Sequence, residues 1–293
     1  MAAATTHPTP GEARSAGTRP RGGARGVLGR MADKYLLIVY SALAVIYLLL
    51  PVFVIILFSF NNPPGRSNFL WTGFTLKYWL NPLGVAGLGD AVLLSLEIAL
   101  ISTIISTILG TLVAIALERY RFRGRAGVNA LVFLPMATPE IIMGASLLTL
   151  FVAIGAAPFF PLNFATILIA HVMFNISYVV VTVRARLAGF PRHLEEAAAD
   201  LYANEWETFR RVTFPLILPG VVAGALLAFS LSIDDFVITN FSAGKTQTFP
   251  MFIYAKAKIG IPVQVNVIGT SIFLIAVGAV LVTTLASRRS NKR

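Results

Sequence analysis

The chain has 293 residues, of which 56% are hydrophobic and only 13% charged, where a typical globular domain carries about 25% charged residues. So few charges cannot cover a fold in water, but they suffice where lipid covers most of it. The balance of +11 comes with no cysteine, which excludes a disulfide framework, an iron–sulfur cluster and a thiolate zinc site.

Residues 1–34, rich in Pro, Gly and Arg, show no periodic apolar pattern and read as a disordered basic tail. Residues 35–290 read as one membrane domain. Six stretches, at 36–60, 91–117, 128–155, 162–183, 212–240 and 263–287, are apolar over the length that a helix of about 20 residues needs to cross a hydrocarbon core. The first is too long for the apolar region of a secretory signal, about 7–15 residues. Nothing alternates as barrel strands do, so the expected fold is all-α and polytopic, with six transmembrane helices.

Nineteen of the 24 Lys and Arg residues fall in the tail, the loop after the second stretch, the segment between the fourth and fifth, and the C-terminal end. Arg66, Lys77, Lys245, Lys256 and Lys258 are the other five. The positive-inside rule then places both termini in the cytoplasm. The basic excess reports topology and points to membrane lipid, with no nucleic-acid partner. Segments 61–90 and 241–262 are external and 184–214 is cytoplasmic, with no room for a soluble catalytic domain.

Four acids fall within the spans, Glu97, Glu140, Asp234 and Asp235, and no Lys or Arg accompanies them there. Ionisable groups in a span are costly and mark pathways or partners. At 1.5 Å per residue, Glu140 lies about 18 Å from the cytoplasmic side, Asp234 and Asp235 about 29 Å from it, and Glu97 about 9 Å from the outer side. Two readings stand. The acids line the path of a cationic solute, helped by aromatic faces; or Glu140 is protonated or bonded to backbone freed at Pro135 and Pro139, and the aspartates cap a helix end.

In the cytoplasmic segment, Pro191 suits a first helical position, and Leu194, Ala197, Ala198 and Leu201 recur at helical spacing. Trp206, Phe209 and Val212 carry a second stripe into the fifth span, and Glu207 can pair with Arg211 one turn on. This is either a surface helix lying on its own bundle or a lever offered to a partner. Pro215 and Pro219 suit a stiff, bent junction after it.

Glu196-Ala197-Ala198, then Asp200-Leu201, Ala203 and Val212-Thr213-Phe214-Pro215, resemble the EAA loop of the membrane subunits of binding-protein-dependent ABC importers. The spacing matches throughout, but Tyr202 stands where that family usually has Gly. The resemblance implies a type I ABC importer permease fold, multi-pass in the cell inner membrane. Such a subunit pairs with a second permease, binds two cytoplasmic ABC ATPase subunits and receives solute from an extracytoplasmic substrate-binding protein. The loop would then be a coupling helix, with Glu196, Ala197, Ala198, Leu201 and Tyr202 at the ATPase contact. It further implies a transport subunit rather than an enzyme, with no cofactor of its own, ATP being used by the partner. Ser230–Ile238 and Pro139–Gly144 resemble spermidine/putrescine permeases, which implies a polyamine substrate and a cation-facing set of Glu140, Asp234, Asp235 and Glu97. Competing readings are a permease for a metal complex, an amino acid derivative or thiamine, and an ion-coupled secondary carrier.

Smaller signals are weaker. Gly244-Lys245-Thr246 lacks the first Gly of a P-loop, Thr239 standing there. Gly220 and Gly224 permit close helix contact, with a partner or internally. His171 is a lone polar group without a second histidine for a metal, and no Ser-His-Asp motif is visible. The sequon at Asn175 lies inside a span. The aromatic run Phe74–Trp79 suits the headgroup level or a docking site.

Overall fold

The computed structural model describes residues 25–65, 67–156, 159–189, 191 and 193–290, with side chains described from 35 to 278 of these. The tail expected over 1–34 therefore lies outside the described residues as far as 24, and from Arg25 the chain is already helical. The basic positions Arg14, Arg19, Arg21, Arg66, Arg192, Lys292 and Arg293 also lie outside them. The helices are α1 (Arg25–Phe58), α2 (Lys77–Leu80), α3 (Leu88–Arg119), α4 (Arg125–Ala137), α5 (Glu140–Ile154), α6 (Phe164–Ala188), α7 (His193–Asp200), α8 (Glu205–Thr208), α9 (Phe214–Ile233), α10 (Val237–Ser242), α11 (Phe249–Ala257) and α12 (Val263–Ser290). A π-helical turn, Phe209–Thr213, joins α8 to α9. Among the described residues no strand forms; one isolated bridge links Asn61 and Phe74.

Four helices are each long and apolar enough to cross a membrane: Tyr35–Phe58, Leu88–Arg119, Phe164–Ala188 and Glu205–Ile233. The third expected span is not straight. It is two helices, α4 and α5, bent by 112° at Thr138-Pro139, where a proline disfavours helical backbone in the residue before it. The fifth also ends early: α9 stops at Ile233, and α10 starts after the two aspartates. The sixth expected span falls on α12, whose apolar described part runs Val263–Gly278.

Two units divide the chain, one through Val54 and one from Ile55. In the first, α1 is a single helix, apolar from Tyr35 on. In the second, α3, α6 and α9 pack on one another around Ala114, Leu117, Val179, Val183, Leu187 and Ile217. Within lipid, small residues let helices approach closely and dispersion does the rest. A Cβ on Gly110 would stand 2.7 Å from Val179, and one on Gly220 2.6 Å from Arg186. The Gly220/Gly224 pair thus serves internal packing of α9 on α6.

The segment after α1 is tied down by Asn61. Its amide donates to Asn68 Oδ1 at 2.7 Å and to the Leu70 carbonyl at 2.6 Å, and its oxygen accepts the Thr72 N–H at 2.8 Å. Phe60 stacks on both Phe74 and Trp79, at 5.5 and 5.3 Å. The aromatic run is thereby fixed.

Candidate functional site

The segment 184–214 carries a short helix, α7, with two unlike faces. It begins at His193 rather than Pro191. Glu195 faces inward, where its Oε1 lies 3.1 Å from the Arg119 guanidinium and accepts the Thr213 hydroxyl at 2.8 Å. Glu196, Ala197, Leu201 and Tyr202 face outward and Ala198 is half-buried. Leu201 is 81% exposed and Tyr202 97%, next to Trp206 at 67%. Large apolar groups are thus left in the open on a polar segment. Between this segment and the end of α3 lies an open cavity of about 380 Å³, lined by Tyr120, Glu196, Ala199 and Phe209 among others.

The end of α7 accounts for the residue that departs from the family pattern. Ala203 N–H reaches the Ala198 carbonyl at 3.1 Å and Tyr202 N–H the Ala199 carbonyl at 2.9 Å, the paired bonds of a Schellman turn. That turn requires a left-handed residue, and Tyr202 takes it at φ 60°. Glycine would do so without strain. After it, Asn204 and Glu207 form a reciprocal cap, Glu207 N–H to Asn204 Oδ1 at 2.9 Å and Asn204 N–H to Glu207 Oε2 at 3.2 Å. Glu207 is therefore spent on the helix start rather than on Arg211. The π turn follows directly before Pro215, whose ring would clash with the Arg211 carbonyl in a regular helix.

The intramembrane acids all sit at helix ends or beside grooves. Glu140 is the first residue of α5, where the helix dipole favours a carboxylate without a basic partner. The break at Pro139 thus replaces the depth computed for a continuous span. Glu140 is exposed and lies within electrostatic reach of Tyr178 on α6, whose ring packs edge-on against Phe174 at 4.9 Å. Asp234, the C-cap of α9, is exposed. Glu97 lines an open groove of about 530 Å³ with Asp90, Thr246 and Gln247. Asp90 was not singled out from the sequence. It stands two turns before Glu97 on the same helical face, and that spacing was the available signal. Glu97, Glu140 and Asp234 carry no ion pair among the described residues.

Asp235 is different. Its side chain is only 8% exposed, its Oδ2 accepts both the N–H and the hydroxyl of Thr239 at 2.7 Å, and His171 Nε2 lies 3.4 Å away. His171 is not a lone group: Nδ1 is 2.6 Å from Ser232 Oγ and Nε2 2.9 Å from Thr239 Oγ1. The fold thus brings His171 from α6 to Ser232, Asp235 and Thr239, which lie close together more than 60 residues further along the chain. This cluster is closed, each side chain being buried and engaged by another.

Residues 106–292, which span the coupling segment and both interrupted helices, match the family described as binding-protein-dependent transport system inner membrane component. The chain belongs to this family. It is 36% identical over 262 residues to the spermidine/putrescine transport system permease protein PotC of Haemophilus influenzae, covering 89% of this chain and 98% of that protein. It is 37% identical over 247 residues to PotC of Escherichia coli, covering 84% and 91%. The putrescine transport system permease protein PotI of the same species is also 37% identical over 247 residues, covering 83% and 87%. Among solved structures, a bacterial ABC transporter involved in the import of the acidic polysaccharide alginate matches with TM-score 0.63 at 19% identity, over 94% of this chain and 99% of that one. The MetNI methionine ABC transporter in an inward-facing form matches with TM-score 0.54 at 19% identity, over 69% and 93%. These two share the fold. This inner membrane component is therefore a multi-pass membrane permease, and its family name makes it one part of an assembly that depends on a binding protein.

Proposed function

We propose that this permease moves polyamines of the spermidine and putrescine class inward across the membrane, as one half of a permease heterodimer. An external binding protein delivers the solute, and two cytoplasmic ATPases grip α7 and the turn after it through exposed Glu196, Ala197, Leu201 and Tyr202 and half-buried Ala198. Both termini lie in the cytoplasm, in keeping with the basic loops. Glu140 and Asp234 face the solute, Glu97 and Asp90 form an outer acidic groove, and Tyr178 adds an aromatic face beside Glu140.

The observation that carries this reading is three exposed carboxylates, Glu97, Glu140 and Asp234, within or at the ends of apolar helices, with no ion pair among the described residues. Their cost in a span is offset when an oligoammonium ion passes. Relatives of about the same length, at 36% and 37% identity, are named as polyamine permeases. The test is uptake by the reconstituted set of two permeases, ATPase and binding protein. ATP-dependent spermidine accumulation is expected, absent without the ATPase, and no accumulation of uncharged solutes of similar length. Accumulation driven by an ion gradient without ATP would overturn the reading.

A further inference from the structure

Two adjacent aspartates sit between α9 and α10, and they do different work. We propose that Asp235, together with His171, Ser232 and Thr239, is a positioning residue: it pins α10 to the helix core and so sets where Asp234 and Glu140 stand, without itself touching the solute. The transport arm of this inference rests on the permease reading above.

Burial comes first. The side chains of Asp235 and His171 are 8% and 4% exposed, and Thr239 and Ser232 are buried, whereas Asp234 is exposed. Successive residues leaving a helix point about 100° apart, so one of an adjacent pair turns inward when the other faces out. Acceptor capacity comes second. A carboxylate offers about four acceptor positions. Those of Asp235 meet the Thr239 N–H and hydroxyl, the Ile238 N–H at 3.3 Å and the His171 ring. To bind a passing ammonium group it would have to release the cap of α10.

The network then runs on through the core. Ser232 Oγ, on α9, lies 2.6 Å from His171 Nδ1 on α6 and 3.0 Å from Ser102 Oγ on α3, and Ser102 reaches the Ala99 carbonyl at 3.3 Å. With the ring proton on Nε2, Ser232 donates to Nδ1, Nε2–H points at Thr239 and Asp235, and Thr239 donates to Asp235, while the single Ser102 proton serves either Ser232 or the Ala99 carbonyl. Three long helices thus hold one end of a six-residue helix. That helix presses Phe241 against Gly144, a Cβ on which would stand 2.6 Å from the ring. Gly144 lies one turn after Glu140 on the same face of α5. Moving α10 therefore moves the start of α5 and its carboxylate.

The experiment compares variants in the full transport complex with saturating loaded binding protein, reading maximal uptake of spermidine and putrescine alongside the Tm of the purified complex. Thr239→Val removes a hydroxyl from a residue that carries no charge. It and Asp235→Asn are expected to lower both maximal rates by about the same factor, roughly tenfold, to leave the ratio of the two rates unchanged, and to lower Tm. Thr239→Ser keeps the hydroxyl and is expected to restore rate and Tm. Asp234→Asn, by contrast, is expected to change the ratio, hitting the trication harder, at unchanged Tm. The inference is overturned if Asp235→Asn shifts the ratio as Asp234→Asn does, or if Thr239→Val leaves rate and Tm as in the parent. Should the parent complex carry no polyamine at all, the solute assignment fails, and matched Tm losses for Asp235→Asn and Thr239→Val with rescue by Thr239→Ser still support the pinning role, while unchanged Tm values overturn it.

Discussion

Arg119, the last residue of α3, and Glu195, in α7, meet at 3.1 Å. The same carboxylate oxygen takes the hydroxyl of Thr213 at 2.8 Å, so one side chain joins α7 both to α3 and to the root of α9. Helix α3 carries Asp90 and Glu97 near its other end. Under the proposed function, a push on α7 would reach a rod of about 48 Å that borders the groove holding Asp90 and Glu97. A partly buried ion pair of this kind contributes about 1 kcal/mol. Glu195→Ala is therefore expected to lower ATP-driven uptake about fivefold with the ATPase still bound and still hydrolysing. Glu195→Gln, which keeps an acceptor for Thr213, should lose less. Simultaneous assay of uptake and ATP hydrolysis checks this, and equal loss of both would argue against a transmitting role.

Tyr202 supplies a second prediction. An L residue in the left-handed region costs about 1 kcal/mol relative to glycine, and Tyr202 sits there at φ 60° with its ring 97% exposed. In the isolated permease, Tyr202→Gly is expected to raise Tm by roughly 2–4 °C, whereas Tyr202→Ala, which keeps the strain, should not. In the assembled transporter the same Tyr202→Gly is expected to weaken ATPase co-purification, because the exposed ring is lost. Opposite signs in the two measurements separate backbone strain from partner contact.

What could be read from the sequence divides along physical lines. Long apolar runs and the spacing from Glu196 to Pro215 are local, so the helices and the coupling segment were legible, as was the odd backbone demand at Tyr202. Interruptions were harder. An apolar run looks continuous whether or not it bends, and Pro139 reads as a kink when the helix in fact turns by 112° and restarts at Glu140. Tertiary pairing was invisible. His171 looked solitary because its partners Ser232, Asp235 and Thr239 lie on other helices, and Asp235 looked like Asp234 because adjacency in sequence hides a rotation of about 100°. Glu195 and Arg119 were counted only as charges, since nothing local to either reveals the other.

The outward face of α7 gives a third prediction. Glu196 is exposed and lines the cavity under the coupling segment, while Glu195 beside it is committed internally. Glu196→Lys reverses a charge that carries no ion pair among the described residues. It is expected to leave the Tm of the isolated permease unchanged, to abolish ATPase co-purification and to reduce uptake at least tenfold. Normal uptake with normal ATPase recovery would remove α7 from the partner contact.

The fourth concerns the close approach of Phe241 on α10 to Gly144 on α5. A Cβ at position 144 would lie 2.6, 3.2 and 3.3 Å from three carbons of Phe241, so Gly144→Ala cannot be accommodated unless the ring or α10 moves. Overpacking of this order costs about 1–3 kcal/mol, and Tm should fall by roughly 3–8 °C. Uptake should fall with it, because Glu140 lies one turn away on the same face of α5. Adding Phe241→Leu to Gly144→Ala withdraws the clashing ring and is expected to recover most of both losses, so that the two changes are strongly non-additive. Simple additivity in a double-mutant cycle read by Tm would mean that the two positions do not press on each other, and α5 and α10 would have to be placed by other contacts.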